Sequence, residues 1–188
     1  MKRTSWMGLF LLALAVVAAP AAASTFIALD QQELLAQSDA VVEGRVLKVS
    51  SFWSASGRMI VTEVMVQVEE KILGNAPGVV VLRTAGGTVG GYTVEAHGFP
   101  KFEVGERAVL FLQNSANVAE VTGYRQGQYR IVREKSGVEM AVPALGPNVR
   151  LLHRDGTPAA APKAVRLDQL KAQLRAEAVR DRGRHLEN

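Results

Sequence analysis

The 188-residue sequence contains no cysteine. That excludes disulfides, a thiol nucleophile, thiolate zinc or iron–sulfur ligation and a lipidated cysteine anchor. Aromatic residues are scarce at 6%, and histidine occurs three times. HExxH and GxSxG patterns are missing, and no Gly-rich run ends in Lys-Ser/Thr before a helix. Basic clusters are also missing from the middle of the chain. The net charge of +4 is carried by the ends: residues 1–23 hold +2, residues 24–162 hold −1 and residues 163–188 hold +3. A surface that tracks phosphates needs grouped cations, so nucleic acid is not an expected partner.

What is present begins with an export pattern. Lys2 and Arg3 precede an apolar run from Met7 to Ala19, and Ala21-Ala22-Ala23 supplies small residues for a signal peptidase. This predicts a cleaved signal peptide over residues 1–23, cut after Ala23, with Ser24 as the mature start. The run is short of the ~20 residues that span a bilayer. The expectation is therefore a periplasmic or secreted protein with no stable membrane anchor after cleavage.

Residues 24–142 read as one β-rich domain. Asp30-Gln31-Gln32-Glu33 resembles a capping box and predicts a short helix over 30–37. Residues 40–52 form a β-rich run interrupted by Gly44, a glycine that marks a bulge or bend. Residues 60–73 alternate clearly: Ile60, Val64, Val66, Val68 and Ile72 are expected on one face, and Glu63, Gln67 and Glu69 on the other. Further strands are expected at 79–84, 107–113, 118–122, 128–133 and 139–142. The fold class is mainly β, with a small antiparallel OB-like five-stranded barrel, a short N-terminal helix and a C-terminal amphipathic helix.

Residues 143–162 hold four of the seven prolines and read as a Pro/Ala-rich linker. Residues 163–188 carry Leu167, Leu170 and Leu174 at helical spacing, then a basic tail. The leucine stripe either docks on the domain or meets a partner groove.

No catalytic set emerges. His185 falls in the tail and His153 in the linker. His97 sits two residues from Glu95, too few ligands for zinc, which takes three or four. No metal and no cofactor is expected, and the chain reads as a non-enzyme. Gly86, Gly87, Gly90 and Gly91 form a glycine-rich loop, read as a turn between strands that exposes backbone to a partner. Tyr92, His97 and Phe99 follow on the same loop. Phe52 and Trp53 offer a second contact patch, since bare aromatics can stack ligands.

Ser38-Asp39-Ala40-Val41-Val42-Glu43-Gly44-Arg45-Val46 resembles the opening strand of the netrin-like OB domains, which include tissue inhibitors of metalloproteinases. Glu70-Lys71-Ile72-Leu73-Gly74 is similar to the turn that ends their second strand. Gly105-Glu106-Arg107-Ala108-Val109-Leu110-Phe111 is similar to a later strand. The resemblance spans about residues 38–113, a span it shares with uncharacterised secreted bacterial proteins of this pattern. It implies an OB barrel and an inhibitor whose mature amino terminus, here Ser24, chelates a protease zinc through its amine. The family begins with a disulfide-tied cysteine, which this chain lacks.

The expected function is an exported, non-catalytic binding module for a protein or peptide, with a secreted protease as one candidate partner. The alternatives are a metalloprotease inhibitor acting through Ser24, an oligosaccharide-binding OB domain, and a hydrolase using His97. The expected binding residues are Ser24, Phe52, Trp53, Gly86, Gly87, Gly90, Gly91, Tyr92, His97 and Phe99.

Overall fold

The computed structural model describes residues 24–146 and 148–186. The expected signal segment and its cut after Ala23 lie outside them. In chain order the elements are β1 (Ser24–Ile27), α1 (Gln31–Ala36), β2 (Ala40–Trp53), β3 (Ile60–Gly74), β4 (Val79–Ala85), β5 (Gly87–Val89), β6 (Tyr92–Val94), β7 (Arg107–Gln113), β8 (Val118–Val121), β9 (Gln128–Arg133), β10 (Glu139–Pro143), β11 (Val149–Leu152), β12 (Val165–Arg166) and α2 (Leu167–Leu186). Strand accounts for 48% and helix for 15%, so the chain is mainly β.

The large sheet has eight strands, in the order β12-β10-β9-β7-β2-β3-β4-β8. β8 runs parallel to β4 and also pairs antiparallel with β7, Leu112 facing Val121 and Gln113 facing Glu120. Two further two-stranded sheets are β5 with β6 and β1 with β11. The last of these falls within the Pro/Ala-rich stretch 143–162. There Val149–Leu152 lies parallel to Ser24–Ile27 and buries Leu151.

Gly44 sits at an irregularity in β2. β2 pairs with β3 on one side and β7 on the other, and its register against β3 shifts between Glu43 and Gly44. A Cβ at Gly44 would sit 2.5 Å from Val66 Cγ1 and 2.7 Å from the Gln67 carbonyl oxygen. Only glycine permits that approach at the register shift.

Two apolar clusters lie on opposite faces of the sheet. One gathers Val42, Val46, Val64, Val66, Leu82, Leu110 and Leu112. The other gathers Leu34, Val41, Val109, Phe111 and Tyr129 with Leu167, Leu170 and Leu174 of α2. The leucine stripe thus docks on its own sheet, and each buried leucine contributes about 1.5–3 kcal/mol by area. Ile72 departs from expectation, packing under α2 instead of joining Val64 and Val66. The register jumps twice before it: Gly44 faces Val68 and Glu43 faces Glu70, leaving Glu69 extra, and Val42 faces Lys71 and Val41 faces Leu73, leaving Ile72 extra. Alternation therefore fails past Val68, and both Glu70 and Ile72 lie toward α2.

Helix α1 starts as its sequence predicts. Asp30 Oδ1 accepts from the Glu33 amide at 2.8 Å, and Glu33 Oε2 accepts from the Asp30 amide at 3.0 Å.

Candidate functional site

Seven of the expected binding residues meet at one end of the sheet, where the β2–β3 hairpin and the β5–β6 hairpin lie together. Gly86 and Gly87 make the joint. Gly87 has φ of +130°, and a Cβ on it would lie 2.3 Å from Ser51 Oγ and 2.4 Å from Thr62 Oγ1. Thr62 Oγ1 donates to the Gly86 carbonyl at 2.6 Å. The small hairpin is therefore seated on β2 and β3 by a contact no larger residue could make. Its turn is Gly90-Gly91, with φ of 56° and 84°. A two-residue turn with positive φ at both centres matches the twist of the strands it joins. The glycine-rich stretch is thus a hairpin rather than a loop. The signal was in the sequence, as Gly-Gly between Thr-Val and Tyr-Thr-Val.

The hairpin carries Tyr92 to the edge of the Trp53 ring, with centroids 6.1 Å apart. Tyr92 is 69% exposed and Trp53 43%, with Phe52 and Met59 also exposed beside them. Phe99 belongs to a second aromatic group. Its ring lies 4.9 Å from Tyr124, and Tyr124 lies 5.2 Å from Phe26 of β1. Gly98 lies under the Phe26 ring, where a Cβ would come within 2.1 Å of Cζ. Tyr124 holds φ of +59°, uncommon for an aromatic residue. Backbone strain of this kind costs about 1–3 kcal/mol and persists where surrounding contacts over-determine it. Here Gln126 supplies such contacts: its side chain accepts from the Leu29 amide and donates to the Ile27 carbonyl, fixing the segment to β1.

A groove of about 680 Å³ is lined by the second group, Phe26, Phe99 and Tyr124, together with Met59, Val61 and Thr84; Trp53 and Tyr92 do not line it. Its floor includes Arg83–Ala85 of β4. β8 covers only Val81 and Leu82 of that strand, so among the described residues Arg83–Ala85 have no strand partner on that side. Phe26, Met59 and Tyr124 were not singled out from the sequence. Nothing in their local pattern separates them from core residues, because their neighbours come from segments some 30 to 100 residues away.

The other two expected residues stand apart. Ser24 opens β1, and its nitrogen donates to the Asn148 carbonyl at 2.9 Å. His97 is exposed in a turn and borders a separate cleft of about 360 Å³ with Glu95, Lys101, Arg125 and Arg130. Glu95 is ion-paired with Lys101, whose hydrogen bond holds its carboxyl below the usual range. Glu106 is half-buried, and desolvation pushes its carboxyl up although Arg130 Nε lies 3.3 Å away. Among the described residues no group of three or more His, Asp or Glu side chains could hold a metal. No described helix is long and apolar enough to cross a membrane.

Compared with protein-family models, curated proteins and solved structures, the chain matches none of them.

Proposed function

We propose that this chain is an exported, non-catalytic binding module that holds an extended apolar segment of a partner protein or peptide. The observation that carries the reading is the groove lined by the Phe26, Tyr124 and Phe99 rings. It combines apolar side-chain walls with a stretch of β-strand edge at Arg83–Ala85. An added strand gains main-chain hydrogen bonds from such an edge, and alternate side chains fill the flanking pockets. Export rests on the sequence of residues 1–23. The non-catalytic reading rests on His97, which is exposed and whose cleft neighbour Glu95 is ion-paired with Lys101.

The scaffold is best read as an OB-like barrel. Five strands follow one another as β7-β2-β3-β4-β8, and β8 pairs again with β7. Within that circuit β4–β8 is the parallel pair and the others are antiparallel. This supports the likeness to netrin-like domains. The inhibitor mechanism of that family draws less support, because the Ser24 nitrogen faces β11 rather than open space. An oligosaccharide ligand is the second reading, favoured by the exposed Trp53–Tyr92 pair, which offers stacking faces.

The test is selection of random peptides on the protein, followed by amide chemical-shift mapping of a selected peptide. Shifts at Arg83–Ala85, Phe99 and Tyr124, with binding lost in Tyr124→Ala, support the peptide reading. Quenching of Trp53 by a glycan panel, lost in Trp53→Ala, with no peptide selected, replaces it with the second.

A further inference from the structure

The least exposed Arg and Lys residues among those whose burial is described are Arg107, Arg125, Arg130 and Lys171. Three have carboxylates. Arg107 holds Glu43, Glu69 and Glu139; Lys171 holds Glu43 and Glu70; Arg130 has Glu106. Arg125 has none. Its guanidinium makes no hydrogen bond or ion pair with any described residue, and its Nε is buried without a partner. A desolvated guanidinium left unpaired is costly, so such groups are almost always matched.

The surroundings increase that cost. Arg125 lies on the cleft that also borders Lys101, Arg130 and His97. Burial, the largest influence, and the charge of Arg130 disfavour its charged form, and the smaller fields of Glu106 and Glu95 offset only part of this. Of the nearby carboxylates, Glu95 is taken by Lys101 and Glu106 faces Arg130. Gly146 leaves room for the guanidinium: a Cβ there would lie 2.7 Å from Arg125 Nη1. The main-chain amide of Arg125 is bonded to the Gly98 carbonyl, which holds the residue in place. The cleft, about 360 Å³, has room for a small molecule.

We propose that this cleft is an oxyanion-binding site, in which Arg125 takes a carboxylate or phosphate group of a small ligand and Lys101 and Arg130 add positive field. The planar fork of guanidinium N–H groups matches two oxygens of either group. The site is separate from the apolar groove and does not depend on it.

The experiment titrates the protein with sodium phosphate and, separately, with sodium citrate, each at constant ionic strength against sodium chloride. Melting temperature and amide shifts are read. A saturable rise in Tm with one anion, with shifts at Gly98, Arg125 and Arg130, is expected, and the anion that gives it names phosphate or carboxylate as the ligand class. Arg125→Gln is expected to weaken that anion by about tenfold or more, the size of one charge-assisted hydrogen bond. Arg125→Lys is expected to keep part of the response. Without anion, Arg125→Gln is expected to melt no lower than the parent, since no partner is lost. The proposal fails if phosphate and citrate behave as chloride does. It fails equally if Arg125→Gln binds as the parent does, or if that variant melts lower in anion-free buffer. Should Arg125→Gln not fold, the Arg125→Lys titration and the parent's shift map decide.

Discussion

Lys171 and Arg125 are cations of similar burial on opposite sides of the molecule, and the fold treats them in opposite ways. Lys171 projects from α2 onto the sheet, where Glu43 and Glu70 meet it. Glu43 also meets Arg107, and Arg107 reaches Glu69 and Glu139. Charge on that face is matched and shared over several strands. Arg125 meets apolar and backbone groups and another cation, and the carboxylates nearby, Glu95 and Glu106, are ion-paired with Lys101 and Arg130. The helix face is built for holding the chain together, and the cleft and groove side is built with unmet capacity. Unmatched polar groups and uncovered edges are costly to a fold, so in a well-packed molecule each one calls for a physical account.

The largest effect is expected from breaking the matched face at its centre. Glu43 is 3% exposed and its carboxylate touches both Arg107 and Lys171. Glu43→Gln should destabilise the protein by about 3–5 kcal/mol, the range for removing one partner of a buried pair. Urea unfolding reads this, and a loss below about 1 kcal/mol would mean the network is solvated. Leu174→Ala comes next. Leu174 of α2 is fully buried against the sheet, and its truncation should cost about 2–5 kcal/mol by the same measurement.

The matched face should also respond to acid. Hydrogen bonding to Lys171 lowers the Glu70 carboxyl, and hydrogen bonding to Arg107 lowers that of Glu139. A depressed carboxylate adds stability that is complete above its unfolded value of about 4.3 and fades as the pH falls further. Glu106, pushed up by burial, acts in the opposite direction and offsets part of the loss. Stability should therefore drop below about pH 4, and the drop should be shallower in Lys171→Met. An unchanged acid slope in that variant would remove Lys171 from the effect.

The smallest change is expected on the open side. Tyr92 stands mostly in solvent, against Trp53 alone among the aromatic rings. Tyr92→Ala should cost no more than about 0.5–1.5 kcal/mol, the range for an aromatic pair. A larger loss would make the pair a structural staple and weaken its reading as a contact surface.

Much of the scaffold was legible because it rests on local patterns. The Asp30–Glu33 box, the alternation in β3 and the leucine spacing of α2 each state their structure within a few residues. Ile72 was misplaced because a bulge breaks strict alternation, and a bulge depends on the partner strand. The candidate site was legible in part. Trp53, Tyr92 and the four glycines could be picked out as exposed or conformationally special. Phe26, Tyr124 and Arg125 could not, because their meaning comes from what they face: a groove assembled from distant segments, or a carboxylate that is missing. β11 was hidden for a similar reason, since a four-residue strand among prolines gains its identity from pairing with β1.

That pairing has a bearing on the order of folding. Ser24–Ile27 finds its neighbour only at Val149–Leu152, so a growing chain carries its first strand unpaired until nearly four-fifths of the sequence has been made. Contacts this remote in sequence bear a large loop-closure entropy and form late. Ser24–Ile27 is thus among the last segments to lock, and its place is set by the far end of the fold.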